Sequence, residues 1–159
     1  MPERLRLPVA AAVLALALAG CGDGPSVTVE QATTDYTALV DDVAQALVDD
    51  LGVTSMPPAA GSLAPGPEEG TCWFRSQTYT IPERLGIDVP IDDVRATVAD
   101  VVEPEGWEVI DGEIPGGYEG LDAEGPDDAT LELRAKSVTE LRIVALVDGD
   151  CEREALPVE

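Results

Sequence analysis

Three cysteines, 32 acidic side chains and no histidine bound the chemistry open to this chain of 159 residues. Without an imidazole there is no Ser-His-Asp or Cys-His nucleophile, no histidine-held zinc and no histidine-ligated haem. No Gly-x-Gly-x-x-Gly follows a strand pattern and no P-loop occurs, so nucleotide binding has no support either. Pairs of carboxylates could hydrolyse a glycosidic bond, one as the acid and the other as base or nucleophile. Acidic residues stand along the whole chain, however, and spacing singles out no pair. The expectation is therefore a protein without catalytic residues, with a carboxylate-dependent hydrolase as the alternative. Asp122-Ala123-Glu124-Gly125-Pro126-Asp127-Asp128 and Asp148-Gly149-Asp150 come nearest to a calcium loop but lack its D-x-[DN]-x-[DN]-G spacing. No metal site and no cofactor are expected.

The cysteines divide into two kinds. Cys21 closes the stretch Leu18-Ala19-Gly20-Cys21, behind Arg4, Arg6 and an apolar run from Leu7 to Ala17 broken only by Pro8. A charged start, an apolar middle and small residues before a cut are the marks of an export signal. The run is too short to cross about 30 Å of hydrocarbon, which takes about 20 residues, and it ends in Gly20-Cys21-Gly22 without a basic flank. The motif resembles the lipobox of bacterial lipoproteins, which implies a diacylglycerol thioether on Cys21 and cleavage just before it. A conventional cleaved signal peptide is the alternative. On the lipobox reading residues 1–20 are a removed signal, 21–29 a lipidated cysteine with a short tether, and 30–159 one folded domain. That domain would sit on the extracytoplasmic face of the cell membrane, where two or three acyl chains suffice for stable anchoring. Export also places Cys72 and Cys151 in an oxidising compartment, and two cysteines permit a single pairing.

Losing the signal would remove Arg4, Arg6 and Glu3, leaving 7 basic against 31 acidic residues and a net charge of −24. Such a surface repels phosphate backbones and anionic headgroups, so nucleic acid is not an expected partner. The acidic surface reads as solvated; a cationic partner or a weakly bound divalent metal is the functional alternative.

The elements that must position these groups follow from periodicity. Ala32, Tyr36, Leu39, Val40, Val43, Leu47, Val48 and Leu51 recur at steps of three and four, predicting a helix over 30–51 ended by Gly52. Residues 52–70, with four prolines and four glycines, read as a loop. Thr71–Ile81 reads as one strand, and a second helix spans Ile91 to about Glu103, with Pro90 before it and Pro104-Glu105-Gly106 as its stop. A short strand covers Trp107–Ile110, residues 113–128 read as loop, and Ala129–Lys136 with Glu140–Val147 form the clearest hairpin. Val144 and Leu146 make the last strand apolar on both faces, the pattern of a central, doubly covered strand or of one with a face under a loop. The sum is one α+β domain of about four mostly antiparallel strands, with two helices packed on one face and one disulfide. The disulfide would make the first and last strands neighbours at one edge.

Trp73, Tyr79, Trp107 and Tyr118 could form a stacking surface, or could fill the core between sheet and helices. If Thr71–Ile81 is one regular strand, Trp73 and Tyr79 point to the same face. Tyr118, between Gly117 and Gly120, has no evident core duty and is the leading candidate for a ligand contact, with Trp73 and Tyr79 beside it. The first helix could dock a partner through its apolar stripe, or simply pack on the sheet.

Taken together, the lipobox at Cys21, the early helix, Trp73 beside Cys72, the second helix running into Glu105-Gly106-Trp107 and the final strand ending in Asp148-Gly149-Asp150-Cys151 resemble small actinobacterial lipoproteins of the LppA-like group. The resemblance implies an exported, membrane-anchored α+β domain with no catalytic residues to carry over. The functional expectation is a non-enzymatic binding or interaction module of the cell envelope, whose partner is an envelope protein or a small ligand.

Overall fold

Thr28 and Gln31 open the first helix by capping each other: the Gln31 amide donates to Thr28 Oγ1 at 3.3 Å and the Thr28 amide to Gln31 Oε1 at 3.1 Å. Two amides that a helix start leaves free are thereby satisfied. The computed structural model describes residues 25–110, 114 and 116–152; Cys21 and the rest of the lipobox lie outside them. Helix α1 runs Val29–Leu51 and stops where Gly52 turns left-handed and returns its amide to Val48 O. Its buried stripe includes Ala32, Tyr36, Val40, Val43 and Leu47. Helix α2 is Ile91–Val102, followed by a 3₁₀ turn over Glu103–Glu105.

Among the described residues seven strands accompany them: β1 Ser62–Pro65, β2 Thr71–Arg75, β3 Tyr79–Ile81, β4 Glu108–Ile110, β5 Glu119–Glu124, β6 Thr130–Ala135 and β7 Thr139–Asp148. All pair antiparallel in the order β1-β2-β7-β6-β5-β4, with β3 joining β7 in line with β2. The domain is α+β, as expected, with more strands than the four anticipated. Two strands come from segments that read as loops. In β5, Glu119–Glu124 is weak in β-formers and glycine-flanked, but its alternation sets Leu121 and Ala123 against Leu133 and Leu131 of β6, where all four are buried. In β1, Pro65 is tolerable because the strand lies at the edge of the sheet.

The segment expected as one strand over 71–81 is two. Between the pairs Arg75↔Val144 and Tyr79↔Leu141 the chain uses Ser76, Gln77 and Thr78 against only Arg142 and Ile143 of β7. The buried Ser76 holds this bulge: its amide donates to Ile143 O and its Oγ accepts from the Ile143 amide, both at 2.9 Å. One extra residue reverses which side chains face which side. Trp73 and Tyr79 therefore point to opposite faces, contrary to the reading of one regular strand.

Strand β7 is central, since β2 and β3 flank one side and β6 the other. Leu141, Ile143, Ala145 and Val147 are buried on the face that α1 covers. Helices cover that face alone: Val144 and Leu146 on the other are only half-buried, so the double covering expected of this strand is a single one. The open face carries a ladder in which Arg134 binds Asp122 and Arg142 Nε donates to Glu132 at 2.8 Å. The Cys72–Cys151 disulfide is formed, with Cα atoms 5.5 Å apart. It joins β2 to the end of β7, neighbours in the sheet interior and not at an edge, because β1 lies outside β2.

At the same end of the sheet Val27 O accepts the Asp148 amide at 2.8 Å, so the chain is bound to the body before α1 begins. No helix among the described residues is long and apolar enough to cross a membrane.

Candidate functional site

The aromatic residues proposed as ligand contacts lie on three separate surfaces. Trp73 is 47% exposed on the open sheet face opposite Leu146. It is not core filling, because no helix among the described residues lies over that face. Tyr79 lies on the helix face, where its hydroxyl donates to Asp41 Oδ1 at 2.9 Å and Gln77 Nε2 binds the same oxygen. Burial, then the hydrogen bond to Asp41, push the Tyr79 phenol up to about 12. Tyr79 thus docks α1 on the sheet. Tyr118 is exposed just before β5, with the Lys136 ammonium 5.3 Å from its ring centroid.

A different group converges on a cleft of about 420 Å³ between α1, the turn leading into β4 and the turn over 125–128. Its floor is apolar: Val27, Tyr36, Leu39, Trp107 and Pro126. Gly106, in a left-handed conformation (φ 83°), ends the 3₁₀ turn and delivers Trp107, whose amide reaches back to Val102 O. The Trp107 ring stands edge-on to Tyr36, centroids 5.9 Å apart and planes at 85°, a favoured aromatic geometry. Gly125 lies flat against the indole; a Cβ there would fall within 2.6 Å of three ring atoms. Only glycine fits this approach, although its extended backbone (φ −110°) would suit any residue.

The rim is acidic. Asp35 and Asp42, seven residues apart on α1, flank Leu39, while Glu105 and Asp127 come from the two turns. Asp127 and Asp128 both hold positive φ, 58° and 57°, a region costly for non-glycine residues and least so for Asp and Asn. The Ser26 hydroxyl donates to Asp127 Oδ1, tying the strained turn to the chain ahead of α1. No lysine or arginine is among the described residues that line the cleft.

The two polar side chains of the floor, Tyr36 and Trp107, are 7% and 5% exposed. Among the described residues the one buried side-chain N or O atom without a hydrogen-bond partner lies elsewhere, Gln77 Oε1. Burial first, then the carboxylates of Asp127 and Asp35, raise the Tyr36 phenol above its ordinary value and keep it a neutral hydroxyl. Such a site can donate, accept and attract positive charge. A wider depression of about 660 Å³ near the disulfide, between Pro65–Thr71 and Gly149–Glu152, has no aromatic floor. Among the described residues no three His, Cys, Asp or Glu are grouped to hold a metal ion.

Of the cleft residues, Tyr36 reads in sequence as part of the apolar stripe of α1, Trp107 as core filling or part of a stacking surface, and the 127–128 pair as part of an incomplete calcium loop. The one available signal was the Asp35/Asp42 spacing on a helix that carries acidic but no basic residues. No protein-family model, no curated protein and no solved structure matches this chain.

Proposed function

We propose that this protein is an exported lipoprotein, anchored through Cys21 to the outer side of the cell membrane, whose folded body is a non-enzymatic binding module with the acidic aromatic cleft as its binding surface. The observation that carries the binding role is the cleft itself, an apolar floor of Val27, Tyr36, Leu39, Trp107 and Pro126 under a rim of four carboxylates, Asp35, Asp42, Glu105 and Asp127. A concave, mostly apolar lining with a few polar groups around it is the usual form of a ligand site. The volume falls in the ~300–1,000 Å³ range of small-ligand sites. The anchor rests on the lipobox sequence, and the docking of Val27 agrees with it. Six residue steps separate Cys21 from Val27, so the cleft edge lies within about 21 Å of a lipidated cysteine.

Two measurements test the two halves. Protein isolated from its native membrane carries acyl mass on Cys21, and Cys21→Ala abolishes it; wild-type protein without that mass overturns the anchor. A photo-crosslinking residue placed at Ala38, on the cleft wall, captures a ligand in the cell that the same residue at the exposed Ala96 of α2 does not. Equal capture at both positions, or none at position 38, overturns the cleft as the binding surface.

A further inference from the structure

We infer that the open face of the sheet, at its Trp73 corner, lies on the bilayer that holds the anchor, with the helices turned away from the membrane; this rests on the lipidation of Cys21. Three observations carry it. The first is reach. From Ser26 onward the chain is bound to the body: the Ser26 hydroxyl donates to Asp127, Val27 O accepts the Asp148 amide at 2.8 Å, and Thr28 forms a parallel bridge to Asp148. Five residue steps separate Cys21 from Ser26, so a lipidated cysteine keeps this end of the body within about 18 Å of the bilayer. Asp148 opposes Thr71, and Trp73 stands two residues further along β2. The Trp73 corner therefore belongs to the tethered end of the sheet.

The second is the chemistry of that corner. Register sets Ala64, Trp73 and Leu146 in one row across β1, β2 and β7, and Ser62, Arg75, Val144 and Thr130 in the next. Arg75 is their one charge. Trp73 is 47% exposed, with Ala64 and Arg75 exposed and Leu146 and Val144 half-buried beside it. An indole standing out of an apolar patch suits the headgroup level of a bilayer, where its ring meets hydrocarbon and its N–H stays wet. The Arg75 guanidinium, on the same face of the strand, is the group that would hold a lipid phosphate. The third observation is the division of charge. Six acidic residues on α1 and three on α2 stand against Arg95 alone, whereas the open face sets Arg75, Arg134 and Arg142 against six carboxylates. Anionic headgroups repel the body as a whole, but the anchor prevents its escape, so the difference between its faces decides which one turns to the lipid. In this posture α1, with the cleft beside it, faces away from the membrane.

The test uses the lipidated protein isolated from its native membrane and returned to vesicles of phosphatidylcholine and phosphatidylglycerol. The phosphatidylcholine is brominated on its acyl chains, so that an indole reaching them is quenched. Wild-type protein loses the Trp73 share of its emission in these vesicles, and Trp73→Phe, which leaves only the buried Trp107, loses none. Ala96→Trp in the Trp73→Phe background puts an indole on the exposed side of α2, and it also keeps its emission. Acyl mass on Cys21 is measured on the same samples. With that mass present, an unquenched Trp73, or equal quenching at position 96, overturns the lipid-facing sheet and leaves the anchor standing; protein without the mass overturns both. Acrylamide quenching of full-length Cys21→Ala protein without vesicles tests the other occupants: Trp73 stays open to acrylamide at every protein concentration. Shielding that grows with concentration gives the face to a second copy, and shielding lost on deleting residues 153–159 gives it to the end of the chain; either result overturns the inference.

Discussion

Replacing Gly125 by alanine tests the packing that builds the cleft floor. The added methyl would fall within 2.6 Å of three Trp107 ring atoms, whereas carbon atoms in contact rest at about 3.5–4.0 Å. One partner must therefore retreat by about 1 Å. Trp107 has little room, being 5% exposed and held edge-on by Tyr36 at 5.9 Å. Overpacking of this kind costs about 1–3 kcal/mol, a fall of about 4–12 °C in melting temperature for a domain of this size. Backbone strain adds nothing, since φ at Gly125 is −110°. The assay is urea unfolding with indole fluorescence in a Trp73→Phe background, where Trp107 is the sole reporter. Gly106→Ala is the control. Its φ of 83° makes alanine cost about 1 kcal/mol in backbone strain, but the new methyl meets open space and leaves the indole emission unchanged. If Gly125→Ala costs less than about 0.5 kcal/mol and does not move the Trp107 emission, the glycine-on-indole contact does not exist in solution and the floor is wrongly built.

Three further outcomes are expected. Removing the disulfide by Cys72→Ala with Cys151→Ala costs up to about 4.5 kcal/mol on the chain-entropy account of a loop spanning 79 residues, measured by urea unfolding; a loss below about 1 kcal/mol would show that the bridge does little to restrain the unfolded chain. Because the Tyr79 phenol lies at about 12 in the folded protein and near 10 unfolded, its contribution is intact below pH 10 and drains away between 10 and 12. Tyr79→Phe should cost about 1 kcal/mol at neutral pH and flatten the alkaline limb of stability, and an unchanged alkaline limb would refute the Tyr79–Asp41 link. Calcium and magnesium should raise the melting temperature alike, with monovalent salt at matched ionic strength reproducing most of the rise, because a net charge of −23 repels itself. A calcium-selective rise abolished by Asp127→Asn with Asp128→Asn would instead establish a metal site.

The open face of the sheet gives the molecule two unlike sides. On the helix face, apolar burial ties α1 and α2 to the sheet. On the other, Arg134 and Arg142 are engaged by Asp122, Glu132 and Glu140.

What the sequence determined by itself is what local periodicity and arithmetic can carry. The stripe of α1, its Gly52 stop, α2 behind Pro90 and the alternation of β6 and β7 are visible within a few residues of chain, and the observed bounds follow them closely. Cys72 with Cys151 was the sole pairing possible once Cys21 was set apart, and the folded domain forms it. The tertiary structure decided the rest. β1 and β5 are strands because a neighbour supplies their hydrogen bonds, not because Ser62–Pro65 or Glu119–Glu124 favours extension. One added residue between Arg75 and Tyr79 reversed the side on which Tyr79 emerges, and a bulge is defined only against the partner strand that it mismatches. The cleft was beyond reach for the same reason. Tyr36, Trp107 and Asp127 belong to a helix and two turns far apart in the chain, and each alone reads as core or as solvated acid. Only packing puts a tyrosine, a tryptophan and four carboxylates around one opening.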